Sequence, residues 1–241
     1  MKTVIFIPSR LASTRLPNKP LEDIAGLPMI VRVLECAKKA NLGEVFVATP
    51  DKEIDLVVKK AGGNSVLTQY DHVSGTDRIM EGLKKIDPDR EFEKVINLQG
   101  DIPLIPPDYI KITANLLDDK KVDIGTLITP LDNDRIANPN KVKVVTGHNK
   151  NDIIGRAIYF SRSPVPANEG DYYEHIGIYA YKRDVIERFC KKPQTILEKR
   201  EKLEQLRALE IGMNIYASIV NEALVGVDTY EDLEIIRRKF I

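Results

Sequence analysis

Short runs of β-branched and other apolar residues alternate along the chain with longer segments in which apolar positions recur every three or four residues. The short runs are typical of buried strands, and the longer segments of amphipathic helices. The pattern predicts strands at residues 3–7, 44–48, 66–67, 94–98 and 123–129, and helices at 28–40, 52–61, 75–86 and 107–117. Strands that alternate with helices favour a largely parallel sheet covered on both faces.

Beyond residue 130 this alternation weakens and strand-forming segments predominate. Further strands are predicted at 142–146, 157–161 and 176–181, followed by a long helix at 197–211 and a last helix at 231–239. The expected fold class is α/β, with a Rossmann-like, mixed but mostly parallel sheet flanked by helices and a smaller strand-rich lobe. We expect residues 1–130 with 212–241 to form the α/β core and residues 131–211 to form the lobe.

The composition is that of a folded globular protein, with 43% hydrophobic and 30% charged residues in a chain of 241. Lys plus Arg and Asp plus Glu both total 36, so the bulk positive charge of a nucleic-acid-binding protein is missing and any phosphate site must be local. Cys36 and Cys190 lack the paired spacing of a zinc or redox motif. Neither an export signal nor a run of roughly 20 apolar residues is evident, so we expect a soluble cytoplasmic protein.

The segment that follows the first strand, residues 8–20, contains Arg10, Arg15 and Lys19 together with three hydroxyl side chains. Ligands of α/β sheets bind beyond the carboxyl ends of the strands, and guanidinium groups bind phosphate oxygens through paired, charge-assisted hydrogen bonds. The segment lacks the glycine patterns of a P-loop and of a dinucleotide-binding loop. It therefore predicts a phosphate-binding loop that works through side chains, with a solvated basic loop as the alternative.

Asp101 comes just after the most apolar predicted strand, where its carboxylate can face a ligand. Mg²⁺ takes one or two protein carboxylates and completes its shell with water and phosphate oxygens, so Asp101 is a candidate metal ligand. The alternative is a turn-forming or helix-capping aspartate. Asp228 is a second candidate that can equally cap the last predicted helix, and the sequence leaves both readings open.

Residues 8–20 and 97–101, with six further segments, resemble the motifs of the CMP-Kdo synthetases (3-deoxy-manno-octulosonate, or Kdo, cytidylyltransferases) in order and spacing. The further segments are 74–78, 138–145, 159–162, 175–179, 203–207 and 226–229. The resemblance covers essentially the whole chain and implies a nucleotide-diphosphosugar transferase type of fold. It implies a Mg²⁺-dependent transfer of CMP from CTP to the anomeric hydroxyl of Kdo, with release of pyrophosphate, for lipopolysaccharide biosynthesis. It also implies a homodimer, and no nucleic-acid or membrane partner.

The resemblance also implies roles for individual residues. The catalytic and metal-binding residues are Asp101 and Asp228, with Arg15 and Lys19 as catalytic cations. The nucleotide-binding residues of the core are Pro8, Arg10, Ser13, Arg15, Lys19, Ser74, Arg78 and Gln99. The sugar-acid-binding residues lie in the lobe and are Arg162, His175, Tyr179, Glu204 and Gln205. The lobe is also the expected dimer contact.

The residues alone give the sugar-binding set a plainer interpretation. His175 and Tyr179 fit a half-buried strand, whose two-residue alternation places them on one face, and Glu204 and Gln205 fit the wet edge of an amphipathic helix.

Two departures from the family pattern leave the sugar acid open. Ile102 follows Asp101 where the family commonly has an acidic residue, and residues 163–168 differ from the usual tract. The alternatives are a cytidylyltransferase for 8-amino-Kdo or another acidic sugar such as sialic acid, and, from a different class, a non-catalytic nucleotide-binding protein. The presence of both Asp101 and Asp228 argues against the non-catalytic alternative.

Overall fold

A computed structural model describes residues 1–12, 15–148 and 152–240. The chain forms two compact units, the first made of residues 1–111 with 224–241 and the second of residues 112–223. Every helix in the described ranges is too short or too polar to cross a membrane.

The first unit is built on four parallel strands in the order β5-β4-β1-β6. Its elements up to the unit boundary are β1 (Thr3–Pro8), β2 (Asp23–Ile24), β3 (Leu27–Pro28), α1 (Met29–Lys39), β4 (Gly43–Thr49), α2 (Lys52–Lys60), β5 (Asn64–Leu67), α3 (Gly75–Ile86), β6 (Lys94–Leu98) and α4 (Pro107–Asn115), which contains the boundary. Every residue of β6 is buried, as expected of a central parallel strand covered on both faces. Parallel pairing brings the carboxyl ends of all four strands to one edge.

The second unit has five strands in the order β10-β7-β11-β9-β8, and β8 also pairs with β10, which closes the strands into a ring. Its elements are β7 (Ile124–Pro130), β8 (Lys143–Gly147), β9 (Ile154–Ser161), β10 (Tyr173–Lys182), α5 (Arg183–Cys190), α6 (Ile196–Glu201), α7 (Gln205–Glu210) and β11 (Ile215–Ile219). Among these described strands only the β7–β11 pair is parallel. The chain then returns to the first unit, where α8 (Tyr230–Arg238) is the last helix.

The predicted mixed α/β fold is confirmed, but a mostly parallel sheet describes only the first unit. In the second unit β8 pairs antiparallel with β9 and with β10, β10 pairs antiparallel with β7, and β11 pairs antiparallel with β9. Helices α5 to α7 lie between β10 and β11 in the chain, and β11 then pairs parallel with β7. Strands β7 and β11 belong to the second compact unit, residues 112–223. The division made from the sequence had included both segments in the core, residues 1–130 with 212–241. The binding roles assigned to the core and the lobe stay predictions.

The long helix predicted at 197–211 is wrong, because two helices occupy this segment. The break lies at Lys202, whose φ of 56° and ψ of 47° are left-handed, and α7 begins at Gln205. Leu203 and Leu206 are buried as their spacing predicted. Apolar periodicity cannot reveal a single left-handed residue, because the buried stripe continues across the break. Strand β11 and the β2–β3 hairpin were not predicted.

Candidate functional site

The carboxyl ends of β1 and β6 open onto a pocket of about 430 Å³ within the first unit, a size typical of small-molecule sites. All but one of the predicted nucleotide-binding and metal-binding residues line it: Pro8, Arg10, Arg15, Lys19, Ser74, Arg78, Gln99, Asp101 and Asp228. The remaining predicted residue, Ser13, lies outside the described residues. Residues predicted from four separate segments of the sequence therefore meet at the carboxyl-terminal edge of the parallel sheet.

Two glycines allow the pocket wall to approach the end of β1. A Cβ on Gly100 would lie 3.1 Å from the Pro8 carbonyl oxygen, and one on Gly75 would lie 3.2 Å from Pro8 Cγ. These distances are tighter than ordinary van der Waals contact, so a side chain at either position would push the segments apart. The close approach keeps Asp101 and Ser74 next to the basic loop.

Lys19 connects the two predicted metal-binding carboxylates. Its Nζ donates to Asp101 Oδ2 at 3.0 Å and to the Val227 carbonyl oxygen at 2.8 Å, and it lies 3.4 Å from Asp228 Oδ1. Arg15 Nη2 lies 3.0 Å from the same Asp228 oxygen. Segments more than 80 residues apart in sequence therefore place two carboxylates around one cation.

A buried apolar cluster holds these segments in place. It joins the basic loop and the β2–β3 hairpin to the residues before and within α8, and its buried members are Leu16, Ile24, Met29, Val227, Leu233 and Ile236. The Val227 N–H donates to the Asp101 carbonyl oxygen at 2.9 Å. Burial of Leu16 and Val227 thus fixes the backbone beside Arg15 and Asp228, so that exposed charged groups have a rigid support.

The structure excludes the helix-cap interpretation of Asp228. Thr229 is the N-cap of α8, because its hydroxyl accepts from the Asp232 N–H at 3.2 Å, and Asp232 accepts from the Thr229 N–H at 2.9 Å. The cap is therefore a reciprocal Thr229–Asp232 pair. The Asp228 carboxylate faces Lys19 and Arg15 instead.

Arg78 and Ser74 each have structural contacts besides their place in the pocket wall. Arg78 Nη1 donates to Thr68 Oγ1 at 2.6 Å and to the Gln69 carbonyl oxygen at 2.9 Å. Burial lowers the pKa of Arg78, and the positive charge of Arg10 acts in the same direction. Ser74 is the N-cap of α3 and accepts from the Asp77 N–H at 3.2 Å. These bonds hold both side chains in fixed orientations.

Gln99 is oriented by a buried amide. Gln99 Nε2 donates to Asn97 Oδ1 at 2.9 Å, and Asn97 Nδ2 donates to Thr76 Oγ1 at 3.1 Å. The chain of bonds runs from α3 through β6 to the pocket, so the Gln99 carbonyl group is presented in one orientation.

The pocket carries more positive than negative charge. Four cationic side chains line it, Arg10, Arg15, Lys19 and Arg78, against the two carboxylates Asp101 and Asp228. The whole chain has a formal net charge of zero, so this surplus is local. A polyanionic ligand of small-molecule size is the chemistry that such a site favours.

The carboxylate pair also fits a hard divalent cation. No group of three or more His, Cys, Asp or Glu side chains in the described ranges could hold a metal by itself. Mg²⁺ does not need one, because it takes one or two protein carboxylates and fills its other positions with water and phosphate oxygens. Asp101 and Asp228, which already converge on the Lys19 ammonium, supply that donor set.

The predicted sugar-binding residues all lie in the second unit, and the structure brings two of them into direct contact. The rings of His175 and Tyr179 are 5.2 Å apart, and Phe160 lies 5.3 Å from His175. Burial lowers the pKa of His175 to about 3. Burial also raises the pKa of Tyr179 well above its ordinary value, with smaller contributions from Tyr181 and Glu204. Both rings are therefore neutral near pH 7.

Arg162 belongs to a separate hydrogen-bond network around Glu201. Arg162 Nε donates to the Glu201 carbonyl oxygen and Nη1 to the Pro139 carbonyl oxygen, both at 3.0 Å. The Glu201 carboxylate accepts from the Ser161 hydroxyl and from the Arg162 N–H, also at 3.0 Å. Gln205, the first residue of α7, is buried, and Glu204 immediately precedes it. Gln205 is thus not on a wet helix edge.

Sequence reasoning missed two residues that shape the pocket. His72 lines it and forms a hydrogen bond with Glu81. Although burial acts to raise it, hydrogen bonds from Lys85, the Gln69 N–H and His72 lower the pKa of Glu81 to about 2. The available signal was the position of His72, two residues before the 74–78 motif.

Asp51 was the second omission. It is buried directly after β4, and it accepts from the Leu11 N–H at 2.7 Å and from the Tyr70 hydroxyl at 2.9 Å. Asp51 thus fixes the start of the basic loop. Its position after a predicted strand, at the same edge as Asp101, was the signal that could have identified it.

The chain is similar to known cytidylyltransferases over nearly its whole length. A family model described as cytidylyltransferase matches residues 4–215. A 3-deoxy-manno-octulosonate cytidylyltransferase from Rhodopseudomonas palustris (strain BisB18) is 52% identical over 98% of this chain and 97% of its own length. The enzyme of the same name from Paramagnetospirillum magneticum is 48% identical over 96% of this chain and 94% of its own.

Solved structures agree with the sequence comparisons. A CMP:2-keto-3-deoxy-manno-octonic acid synthetase complexed with CTP superposes with a TM-score of 0.90 and 40% identity, covering 100% of this chain and 98% of its own. A nucleotidyl transferase from Methanothermobacter thermautotroptrophicus has a TM-score of 0.61 at 15% identity, over 99% of this chain and 97% of its own, and shares the fold alone.

Proposed function

We propose that this chain, which belongs to the family of 3-deoxy-manno-octulosonate cytidylyltransferases, transfers CMP from CTP to the anomeric hydroxyl of Kdo and releases pyrophosphate. The product, CMP-Kdo, would serve lipopolysaccharide biosynthesis. The observation that carries the proposal is the convergence of Lys19, Asp101 and Asp228 in a pocket with surplus positive charge. The solved relative complexed with CTP supports the choice of nucleotide.

In the proposed reaction the anomeric hydroxyl oxygen forms a bond to the α-phosphorus of CTP. The bond from that phosphorus to the bridging oxygen breaks, the pyrophosphate leaves with the bonding electron pair, and the hydroxyl proton passes to water. Negative charge therefore grows on the departing group. Arg10, Arg15 and Lys19 line the pocket and would stabilise that charge, which is the main contribution a protein makes to phosphoryl and nucleotidyl transfer.

Asp101 and Asp228 would hold Mg²⁺. When bound there, the ion would supply positive charge to the phosphate oxygens and acidify a nearby hydroxyl. Lys19 keeps the two carboxylates together, and Arg15 holds Asp228 from the other side. Lys19 and Arg15 thus hold two like charges close together, which reduces the reorganisation needed for binding.

The nucleotide would lie on the Rossmann-like edge of the first unit. Ser74, Arg78 and Gln99 are held by their own hydrogen bonds and line the same pocket as the basic loop. Backbone groups near Pro8, where Gly75 and Gly100 bring the chain close, would favour cytosine over the larger purines. Ser13 would add a hydroxyl to this loop.

The sugar acid would bind through the five predicted residues of the second unit. Arg162 uses Nε and Nη1 for two carbonyl oxygens, and within the described part of the chain no hydrogen bond occupies its Nη2 group. That group is available to a carboxylate, the feature that separates Kdo from neutral sugars. We also propose that the enzyme is a cytoplasmic homodimer.

The test is pyrophosphate release from CTP in the presence of Mg²⁺ and Kdo, with each component omitted in turn. We expect release only in the complete mixture. Parallel reactions with 8-amino-Kdo and neuraminic acid would identify a different sugar acid if either were turned over faster. The proposal fails if CTP raises the melting temperature of the protein but no pyrophosphate is released with Kdo, 8-amino-Kdo or neuraminic acid. The chain would then be a non-catalytic nucleotide-binding protein.

A further inference from the structure

Thr126 lies fully buried in β7, opposite Tyr179 of β10. The pairing of β10 with β7 shifts between Ile176 and Tyr179, so the chain bulges at Gly177 and Ile178. At this bulge the Thr126 hydroxyl oxygen lies 2.7 Å from the Ile178 carbonyl oxygen and 2.9 Å from His175 Nε2. One hydroxyl group thus connects the irregular backbone to the predicted sugar-binding histidine.

The positions of the protons follow from these distances. A carbonyl oxygen can only accept, so the single proton of the Thr126 hydroxyl points to the Ile178 carbonyl. The 2.9 Å contact to His175 must then use a proton on the imidazole, and Nε2 donates to Thr126. The Ile176 carbonyl oxygen, at 3.4 Å, is too distant to compete for the hydroxyl proton.

The other ring nitrogen of His175 has different properties. Burial lowers the pKa of His175 to about 3, so the ring is neutral near pH 7 and its one proton is on Nε2. Nδ1 therefore carries a lone pair and can only accept. Among the residues that the structure describes, none donates a hydrogen bond to Nδ1. The His175 residue as a whole is intermediate in exposure, and its ring lies next to the rings of Phe160 and Tyr179.

We infer that Thr126 is a positioning residue, which holds His175 as the Nε2–H tautomer and thereby makes Nδ1 the acceptor for a hydroxyl group of the sugar acid. The inference rests on the proposed function and specifies its recognition chemistry. An acceptor repels a carboxylate, so His175 selects a hydroxyl-bearing part of the ligand and leaves the carboxylate to Arg162. The arrangement favours a polyhydroxylated acid over a deoxygenated one, because a missing hydroxyl would leave Nδ1 without a partner.

The tautomer is tested by ¹⁵N NMR of histidine-labelled protein, which contains only three histidines. The His175 signals are assigned with His175→Gln. We expect the Nε2–H pattern for wild type and for Thr126→Ser, which keeps the hydroxyl. Thr126→Val has nearly the same shape without the hydroxyl, and we expect it to lose the single-tautomer pattern. A wild-type spectrum that shows the proton on Nδ1 would overturn the inference. This measurement uses wild-type protein, so it does not depend on whether a variant folds.

Kinetics separate positioning from simple damage to the fold. We expect Thr126→Val to raise the KM for Kdo about tenfold, the effect of one misdirected hydrogen bond, with the KM for CTP within about twofold of wild type. Thr126→Ser should restore the KM for Kdo. Equal increases in both KM values, or no rescue by serine, would assign Thr126 to general stability only.

The outcome for the proposed function is read separately. If wild type released pyrophosphate with none of the sugar acids, the proposed function would fail, while the NMR spectra would still decide the tautomer. If wild type turned over Kdo and Thr126→Val kept both the tautomer and the KM for Kdo, the function would stand and the inference would fail.

Discussion

At the residue scale, the charges of the pocket are arranged by a few hydrogen bonds rather than by overall composition. Lys19 donates to Asp101 and contacts Asp228, and Arg15 contacts Asp228 as well. The side chain of Lys19 is 17% exposed and that of Asp101 is 32% exposed, so both groups are screened less than surface charges. Changes of a single charge here should affect catalysis more than stability.

Asp101→Asn removes a proposed metal ligand with little change in volume. We expect the kcat for pyrophosphate release to fall on the order of 100-fold or more, because charge stabilisation at the phosphates is lost, while the melting temperature stays close to that of wild type. The matched control is Asp108→Asn, whose side chain is 80% exposed and pairs with Lys111. Near-normal turnover by Asp101→Asn would refute the metal assignment.

Arg162→Ala and Arg15→Ala should affect different substrates. We expect Arg162→Ala to raise the KM for Kdo on the order of 10- to 100-fold, the value of a charged hydrogen bond, with a smaller effect on CTP. Arg15→Ala should instead weaken the handling of CTP. Arg238→Ala removes an exposed arginine at the end of α8 and serves as the control. Similar changes of both KM values in both variants would argue against this division of roles.

At the element scale, one buried ion pair joins α6 to α7, which place Glu204 and Gln205. Arg207 donates to the two Glu198 oxygens at 2.8 and 2.6 Å, and both side chains are almost fully buried. The Arg207 guanidinium also lies 4.3 Å from the centre of the Phe189 ring. Although burial acts to raise it, hydrogen bonds from Arg207 and the Thr195 N–H lower the pKa of Glu198 below its ordinary value of 4.5.

This pair predicts a specific loss of stability in acid. Because the folded-state pKa is lowered, the stabilisation is complete above about pH 4.5 and is lost as the pH falls through the folded value. Glu198→Gln leaves the Arg207 charge buried without its partner, so we expect the free energy of unfolding at pH 7 to fall by about 3–5 kcal/mol. The difference from wild type should narrow as the pH falls below about 4.5.

The measurement is urea unfolding between pH 7 and pH 3. Glu169→Gln, an exposed carboxylate replaced in the same way, should change stability by less than about 0.5 kcal/mol at every pH. If the difference in the free energy of unfolding between Glu198→Gln and wild type stays constant from pH 7 to pH 3, the titration of Glu198 does not contribute to the loss of stability in acid.

At the scale of the whole molecule, the proposed homodimer makes a prediction about mass. Ile154 and Ile158 lie on the same face of β9 and are 45% and 58% exposed, and Ile153 before them is 66% exposed. Exposed apolar residues grouped on a strand face are typical of contact surfaces. The strand-rich second unit was the expected contact region.

We expect light scattering of wild type to give a mass about twice that of the 27.2 kDa chain. We expect Ile158→Glu to give the mass of one chain, because dimer formation would remove water from the new carboxylate and this desolvation is unfavourable. Ile235→Glu places the same charge on α8, where Ile235 is 45% exposed, and should leave the mass unchanged. A wild-type mass of one chain would contradict the homodimer, and a dimer that survives Ile158→Glu would place the contact elsewhere.

Elements whose apolar pattern is strong could be predicted from the sequence, some of them to the residue. Strand β6 and helix α3 have the predicted bounds, because a continuous apolar run and a clean helical stripe leave little choice. The break at Lys202 and the bulge at Gly177 could not be predicted, because each depends on one or two backbone angles that packing imposes. The short hairpin β2–β3 was missed because two-residue strands have almost no pattern.

The α/β class, the family resemblance and the residue types available for chemistry could be predicted from the sequence, since these depend on local pattern and on motifs that stay together along the chain. The folded structure was needed to show that Asp228 faces Lys19 while Thr229 caps α8, and that Thr126 bonds to His175. The Thr126–His175 and Lys19–Asp228 contacts join residues 49 and 209 positions apart, and no local propensity specifies which of many polar side chains meet. The meeting is set by burial of the apolar residues around them, a property of the folded chain as a whole.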